Sequence, residues 1–193
     1  MRKKGRNYAY KKSFTIVLLL LFVTVLLGGC SSGKDSADKG TGKENPIAET
    51  KVKKSVVLYF GDEQAEKVAA EKRIIEIPRS SSTAVLAEAI VKELIKGPQN
   101  KKLQKTIPPE ARLLSLKIQN STAYVNFSEE MVTKHWGGSA GETMTIFSLV
   151  NSLTELKGID KVQILINNQK QESLLGHYST SDPFARNEDI IAP

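Results

Sequence analysis

Leu114-Ser115-Leu116-Lys117-Ile118 and Ala123-Tyr124-Val125-Asn126-Phe127 alternate apolar with polar residues, and Gln119-Asn120-Ser121 lies between them. A period of two marks strands whose side chains point to opposite faces. Two such runs around a polar turn predict a β-hairpin, with Leu114, Leu116, Ile118, Ala123, Val125 and Phe127 carried into the core. On either side of the hairpin the period changes to that of a helix. Upstream, Ala87, Ile90, Val91, Leu94 and Ile95 share one face, while Glu88, Lys92, Glu93 and Lys96 face away. Ser81, Ser82 and Thr83 offer N-cap oxygens, and Gly97-Pro98 stops that helix. Downstream, Ile146, Leu149, Val150, Leu153 and Leu156 form the apolar face of a second helix that ends at Lys157-Gly158. Ser139-Ala140-Gly141-Glu142 predicts a capping box at its start, with Glu142 reaching back.

Further out, Val56-Val57-Leu58-Tyr59-Phe60 is apolar on both faces, which predicts a strand covered on both sides. Arg73 to Ile77 is a second strand closed by Pro78, and Val162 to Ile166 is another. Asn167-Asn168 turns the chain into a last short strand over Lys170 to Leu174. The order is β-β-α-β-β-α-β-β, an α+β fold of two layers: a mixed β-sheet with two helices packed on one face. Residues 55–193 have the size of one globular domain.

The start of the chain reads differently. Arg2, Lys3, Lys4, Arg6, Lys11 and Lys12 precede Phe14 to Leu27, an almost wholly apolar run. A basic segment followed by a short apolar one is a secretory signal, and the run is shorter than the ~20 residues a membrane-spanning helix needs. Leu27-Gly28-Gly29-Cys30 then resembles a bacterial lipobox. In this reading residues 1–29 are a lipoprotein signal peptide and the Cys30 thiol takes a diacylglyceryl group. Cys30 is the only cysteine, so the mature chain forms no internal disulfide. Residues 30–54 are rich in Gly, Ser and mixed charge, the composition of a disordered tether. A coil of ~25 residues spans roughly 25–30 Å. The expected location is the extracytoplasmic face of the cell membrane, with acyl chains as the anchor.

Charge has to be counted after processing. The full chain carries +7, with 28 Lys+Arg, and removing the six in the signal leaves 22 against 21 Asp+Glu. The basic balance belongs to the removed segment, which excludes nucleic acid as a partner.

Catalytic chemistry finds little support in the residue pattern. The two histidines, His135 and His177, lie far apart with no second metal ligand at i+3 or i+4. His177, Asp182 and a serine could form a triad, but no nucleophile elbow is present. Glu129-Glu130 follow Ser128, where acidic residues favour a helix start. The Gly137-Gly138-Gly141 group has no Lys-Ser/Thr partner for a phosphate loop. Two segments are candidates for partner contact instead. Lys134, His135 and Trp136 sit in a loop with the single tryptophan beside glycines, and tryptophan is favoured at binding hot spots. His177, Asp182, Phe184 and Arg186 belong to a tail read either as a cover on the core, with Asp182 near Arg186, or as an edge for assembly.

Five strings carry a family resemblance: Val57-Leu58-Tyr59-Phe60, Glu93-Leu94-Ile95-Lys96-Gly97-Pro98, Ala123-Tyr124-Val125-Asn126-Phe127-Ser128, Val150-Asn151-Ser152-Leu153-Thr154-Glu155-Leu156, and Gly176-His177 with Asp182-Pro183-Phe184-Ala185-Arg186-Asn187. Together they resemble the GerMN domain, over essentially all of the globular part. The resemblance implies a non-enzymatic envelope domain, without cofactor or metal, and a fold similar to the ring-building motifs of secretion-type assemblies. It implies a role in sporulation or spore germination, with envelope or sporulation membrane proteins, or further copies of the chain, as partners. The rival reading is an extracytoplasmic lipoprotein that binds a ligand or peptidoglycan.

Overall fold

The computed structural model describes residues 50–193. The signal peptide, Cys30 and nearly all of the predicted tether lie outside the described residues.

Two long strands open the domain, β1 (Lys51–Gly61) and β2 (Val68–Pro78). They pair antiparallel in one unbroken register from Lys51↔Pro78 to Gly61↔Val68. β1 therefore begins inside the stretch assigned to the tether, because Val52 faces Ile77 across the ladder and packs on the core. Leu58, Tyr59 and Phe60 are all buried, so the strand is covered on both faces at this end. β2 places Arg73 on the inner face, over the Phe60 ring. Arg73 pairs with Glu71 and Glu93 and donates to the Gly97 carbonyl, which ties β2 to the end of the first helix.

That helix, α1 (Thr83–Lys96), follows its sequence punctuation closely. The Ser82 side chain accepts from the Val85 N–H at its start. Gly97, at φ 92°, donates its N–H to the Glu93 and Leu94 carbonyls at its end. Only a glycine takes that left-handed turn without strain. Ala87, Ile90, Val91 and Leu94 form a single buried face.

The hairpin consists of β3 (Leu113–Gln119) and β4 (Thr122–Phe127), turned by Asn120 and Ser121, both at positive φ. One predicted core residue is misplaced. A register shift between Leu113 and Ser115 reverses the alternation, so Leu114 is exposed and Leu113 packs on the core. β4 runs parallel to β5 (Lys161–Ile166), and β6 (Phe184–Ala185) pairs antiparallel with β5. The class is α+β with two main helices, as expected. The strands are shared between two sheets, the β1-β2 ribbon and a mixed sheet in the order β3-β4-β5-β6.

Between the hairpin and β5 come α2 (Glu130–Thr133), a single turn, and α3 (Ser139–Leu153). Glu130 sits in the first turn of α2 and pairs with Arg112. α3 departs from expectation in two ways. It is buried all round from Met144 to Leu153, not on one face alone. Its N-cap is Gly138, which has no side chain to offer, with Ser139 already inside the helix, and Glu142 does not reach back. The Glu142 carboxylate instead accepts from the N–H groups of Leu174, Leu175 and His177 and from the Ser173 hydroxyl, at 2.9 to 3.1 Å. The predicted strand over Lys170 to Leu174 is absent for a related reason. Amide groups at its end and just beyond are drawn to Glu142, and the edge of β5 is taken by β6 instead.

Candidate partner-binding cleft

α2 and α3 are joined by the loop Lys134–Gly138, and the loop shapes a cleft of about 220 Å³. Its walls include Ala65, Gln104, His135, Trp136, Gly138 and Met144. Trp136 stacks on His135 with ring centroids 5.6 Å apart and planes inclined by 26°. The indole remains 45% exposed. It is therefore not a core plug, and an exposed tryptophan on a fixed support is the kind of side chain that anchors interfaces.

The support is built from α3. His135 Nε2 lies 2.7 Å from Thr145 Oγ1, and that hydroxyl also meets the carbonyls of Thr106 and Gly141. Gly141 permits the close approach, since a Cβ there would stand 3.0 Å from the Trp136 carbonyl oxygen. Burial pushes the His135 pKa below its ordinary value, against the opposing pull of the Trp136 backbone and Glu142. Burial thus favours the neutral imidazole.

The structure brings two of the sequence candidates together. His177 Nε2 would lie 3.9 Å from a Cβ at Gly138, so the tail meets the loop at the mouth of α3. Glu142 fixes this meeting by accepting the His177 N–H at 2.9 Å. Burial raises the pKa of that carboxyl, but the amides of Leu175 and His177, the Ser173 hydroxyl and the amide of Leu174 outweigh it and hold it below the ordinary value. Tyr178 and Phe184 form an aromatic group with Phe147, with centroids 6.1 to 6.5 Å apart. Lys134 is exposed at the end of α2, and Asp182 is exposed on the tail.

Arg186 has a different setting. Its guanidinium lies over the Tyr59 ring at 5.2 Å and bonds the Tyr59 hydroxyl, Glu155, Glu188 and the Asn151 carbonyl. The expected closeness of Asp182 to Arg186 gives way to these carboxylates. Asn151 also exchanges two hydrogen bonds with the backbone of Asn187. This clasp holds the tail against β1 and α3; burial lifts the Tyr59 pKa above its ordinary value, with Glu155 adding to the rise and Arg186 opposing it. Sequence reading missed Tyr59, Asn151, Glu155 and Glu142 in these roles. The unbroken burial of α3 gives them their partners, and a one-faced helical pattern hides it. Among the described residues, no group of three or more His, Cys, Asp or Glu side chains is placed to hold a metal ion. No helix among them is long and apolar enough to cross a membrane.

Residues 57–172 match the Germane family, described as sporulation and spore germination. The chain belongs to the Germane family. The Germane match takes in α1, the hairpin, the Trp136 loop and α3, and it stops short of His177 and Arg186. Among solved structures, the chain is similar to a Clostridium perfringens protein assigned as a lipoprotein, at 28% identity and TM-score 0.51, over 72% of this chain and 90% of that one. It is similar in fold to the first GerMN domain of the sporulation protein GerM from Bacillus subtilis, at 22% identity and TM-score 0.54, over 69% of this chain and 98% of that one. The tandem GerMN domains of the same protein align at 20% identity and TM-score 0.56, over 79% of this chain. This Germane chain spans about half of that tandem structure, 51%. No curated protein sequence matches the chain.

Proposed function

We propose that this Germane protein is a non-enzymatic, protein-binding module, anchored by lipid at Cys30 to the extracytoplasmic face of the cell membrane and acting in sporulation or spore germination. The observation that carries the reading is the exposed Trp136, stacked on a His135 ring that α3 holds in place. The cleft offers an aromatic anchor on a fixed support, which suits recognition of another protein surface. Its partners are envelope or sporulation membrane proteins, with further copies of the chain as a second class. A lipid anchor keeps the domain at high local concentration beside such partners. The family description and the likeness to a lipoprotein support this reading.

The test combines two variants of the full chain in sporulating cells. Cys30→Ala is expected to release a folded domain to the medium and abolish function. Trp136→Ala is expected to leave the anchor and the fold intact while partner capture by cross-linking is lost. Full function from the released form would sink the tether, and undiminished capture by Trp136→Ala would sink the cleft.

The second reading is a ligand- or peptidoglycan-binding lipoprotein. What favours it is the cleft volume of about 220 Å³ beside a tryptophan ring. Capture of cell-wall fragments in place of proteins in the same experiment would select it.

A further inference from the structure

The other end of β1 carries a second surface. In an antiparallel pair, alternate residues direct both their N–H and C=O away from the partner strand. On β1 the set is fixed by Tyr59: its N–H donates to Ser152 Oγ and its carbonyl accepts from Ser148 Oγ, both on α3. The Gly61 carbonyl points the same way and accepts from the Gln104 N–H. Counting back by two, Val57, Ser55 and Lys53 turn their N–H and C=O groups toward the same edge. α3 satisfies that edge at Tyr59. Among the described residues nothing bonds it at Val57, Ser55 or Lys53.

A groove runs beside this open stretch. Ser55, Val57, Leu86, Ile90, Glu155 and Leu156 line it, with a volume of about 150 Å³. Leu86, Ile90 and Leu156 give it an apolar floor next to the unpaired backbone. An open strand edge beside an apolar groove accepts an extended segment: main-chain bonds supply affinity and the groove takes alternate side chains. Charge selects the occupant. Lys51, Lys53 and Lys54 are exposed along this end of β1, and none has an ion-pair partner among the described residues. Lysines on an edge oppose pairing with a second copy, whose own lysines would be brought alongside.

We propose that the Lys53–Val57 edge of β1 binds an extended, acidic segment of a partner protein, adding a third strand to the β1-β2 ribbon. The proposal rests on the protein-binding reading but on a surface apart from the Trp136 cleft. Apolar side chains of the segment enter the groove at Leu86 and Leu156, and its carboxylates, on the opposite face of the added strand, lie along Lys51 and Lys53.

The probe is a blocked peptide alternating valine with glutamate, and its control alternates valine with lysine. Binding to the full chain is followed by fluorescence anisotropy, and hydrogen exchange is read at Ser55 and Val57. The acidic peptide is expected to bind, to slow exchange at both amides, and to weaken as salt rises. Ser55→Pro removes an N–H that the β2 ladder does not use, and proline is tolerated at such an edge position. Its binding is expected to fall about tenfold or more, the equivalent of one or two lost hydrogen bonds, with the circular dichroism unchanged. Should that variant misfold, the double variant Lys51→Glu with Lys53→Glu keeps the proposal exposed, and is expected to reverse the preference toward the lysine peptide. Trp136→Ala is expected to bind the acidic peptide as the native chain does. Failure of the native chain to bind it, retained binding by a folded Ser55→Pro, or an unchanged preference in the double variant would overturn the proposal. Loss of binding in Trp136→Ala alone would move the segment to the cleft, against this inference and in favour of the function proposed above.

Discussion

α1 and α3 look alike as sequence and differ as structure. Each shows one apolar face at helical spacing. In α1 Glu88, Lys92 and Lys96 do face water, and the ion pair Lys92–Glu88 lies at 3.8 Å on that side, while Glu93 turns in to Arg73. In α3 the polar residues Glu142, Thr145, Ser148, Asn151 and Ser152 are all buried. Their polar atoms serve as backbone substitutes. Ser148 and Ser152 complete the edge of β1, Asn151 completes the tail at Asn187, Thr145 supports His135, and Glu142 gathers the loop at Ser173 to His177. A short polar side chain on a helix therefore has two meanings, a solvated face or a seam to neighbouring backbone. The α3 set contains no lysine or arginine, whereas the outer face of α1 is built from Lys and Glu.

Substitutions can break the contrast, and the largest effect is expected at Glu142. Glu142→Ala removes a carboxylate that four donors share, and leaves buried N–H groups without partners. A loss of about 3–4 kcal/mol is expected, because bonds to charged groups contribute about 1.5–3 kcal/mol and an unsatisfied buried group costs about 1–3 kcal/mol. Urea unfolding reads this directly, and a change below about 1 kcal/mol would show that the loop is held by other means. The same group makes a pH prediction. Its folded pKa lies below the ordinary carboxylate value, so its stabilisation is complete above that ordinary value and is lost as pH falls toward the folded one. Acid unfolding of Glu142→Gln should accordingly be less steep in that window than acid unfolding of the native chain.

A smaller effect is expected at Ser148, whose hydroxyl donates to the Tyr59 carbonyl at 2.5 Å and accepts from Thr106 at 2.7 Å. Ser148→Ala should cost about 1–3 kcal/mol, measured by the same unfolding transition. At the bottom of the scale stands α1. Lys92→Ala should change stability by less than about 0.5 kcal/mol, the range of exposed pairs and ordinary surface sites. Equal costs for Ser148→Ala and Lys92→Ala would erase the distinction between seam and surface.

Much of the fold was legible because local signals agreed. Ser82 and Gly97-Pro98 bounded α1, and alternation over Leu116 to Phe127 defined the hairpin around Asn120-Ser121. Two of the misses share one cause, backbone groups satisfied from far along the chain. Ser139 to Glu142 had the spacing of a capping box, but Glu142 found four donors more than thirty residues away. Those donors cost the predicted last strand its amides. Leu114 failed through a one-residue shift, which turns a side chain to the opposite face. Of the candidate site, Trp136 and His135 were legible as a lone tryptophan and histidine beside glycines. The nearness of His177 was not, since Glu142 sets it and nothing in the order of residues joins positions 138 and 177.

The central claim is that the Trp136 surface binds a protein partner at the membrane. A photo-crosslinking residue placed at Trp136, and in a second strain at Lys92 on the outer face of α1, tests it in sporulating cells with the lipid-bearing chain. The account predicts a discrete adduct with a membrane protein from position 136 and none from position 92. No adduct at 136, the same adducts from both positions, or adducts made only of cell-wall material would contradict it.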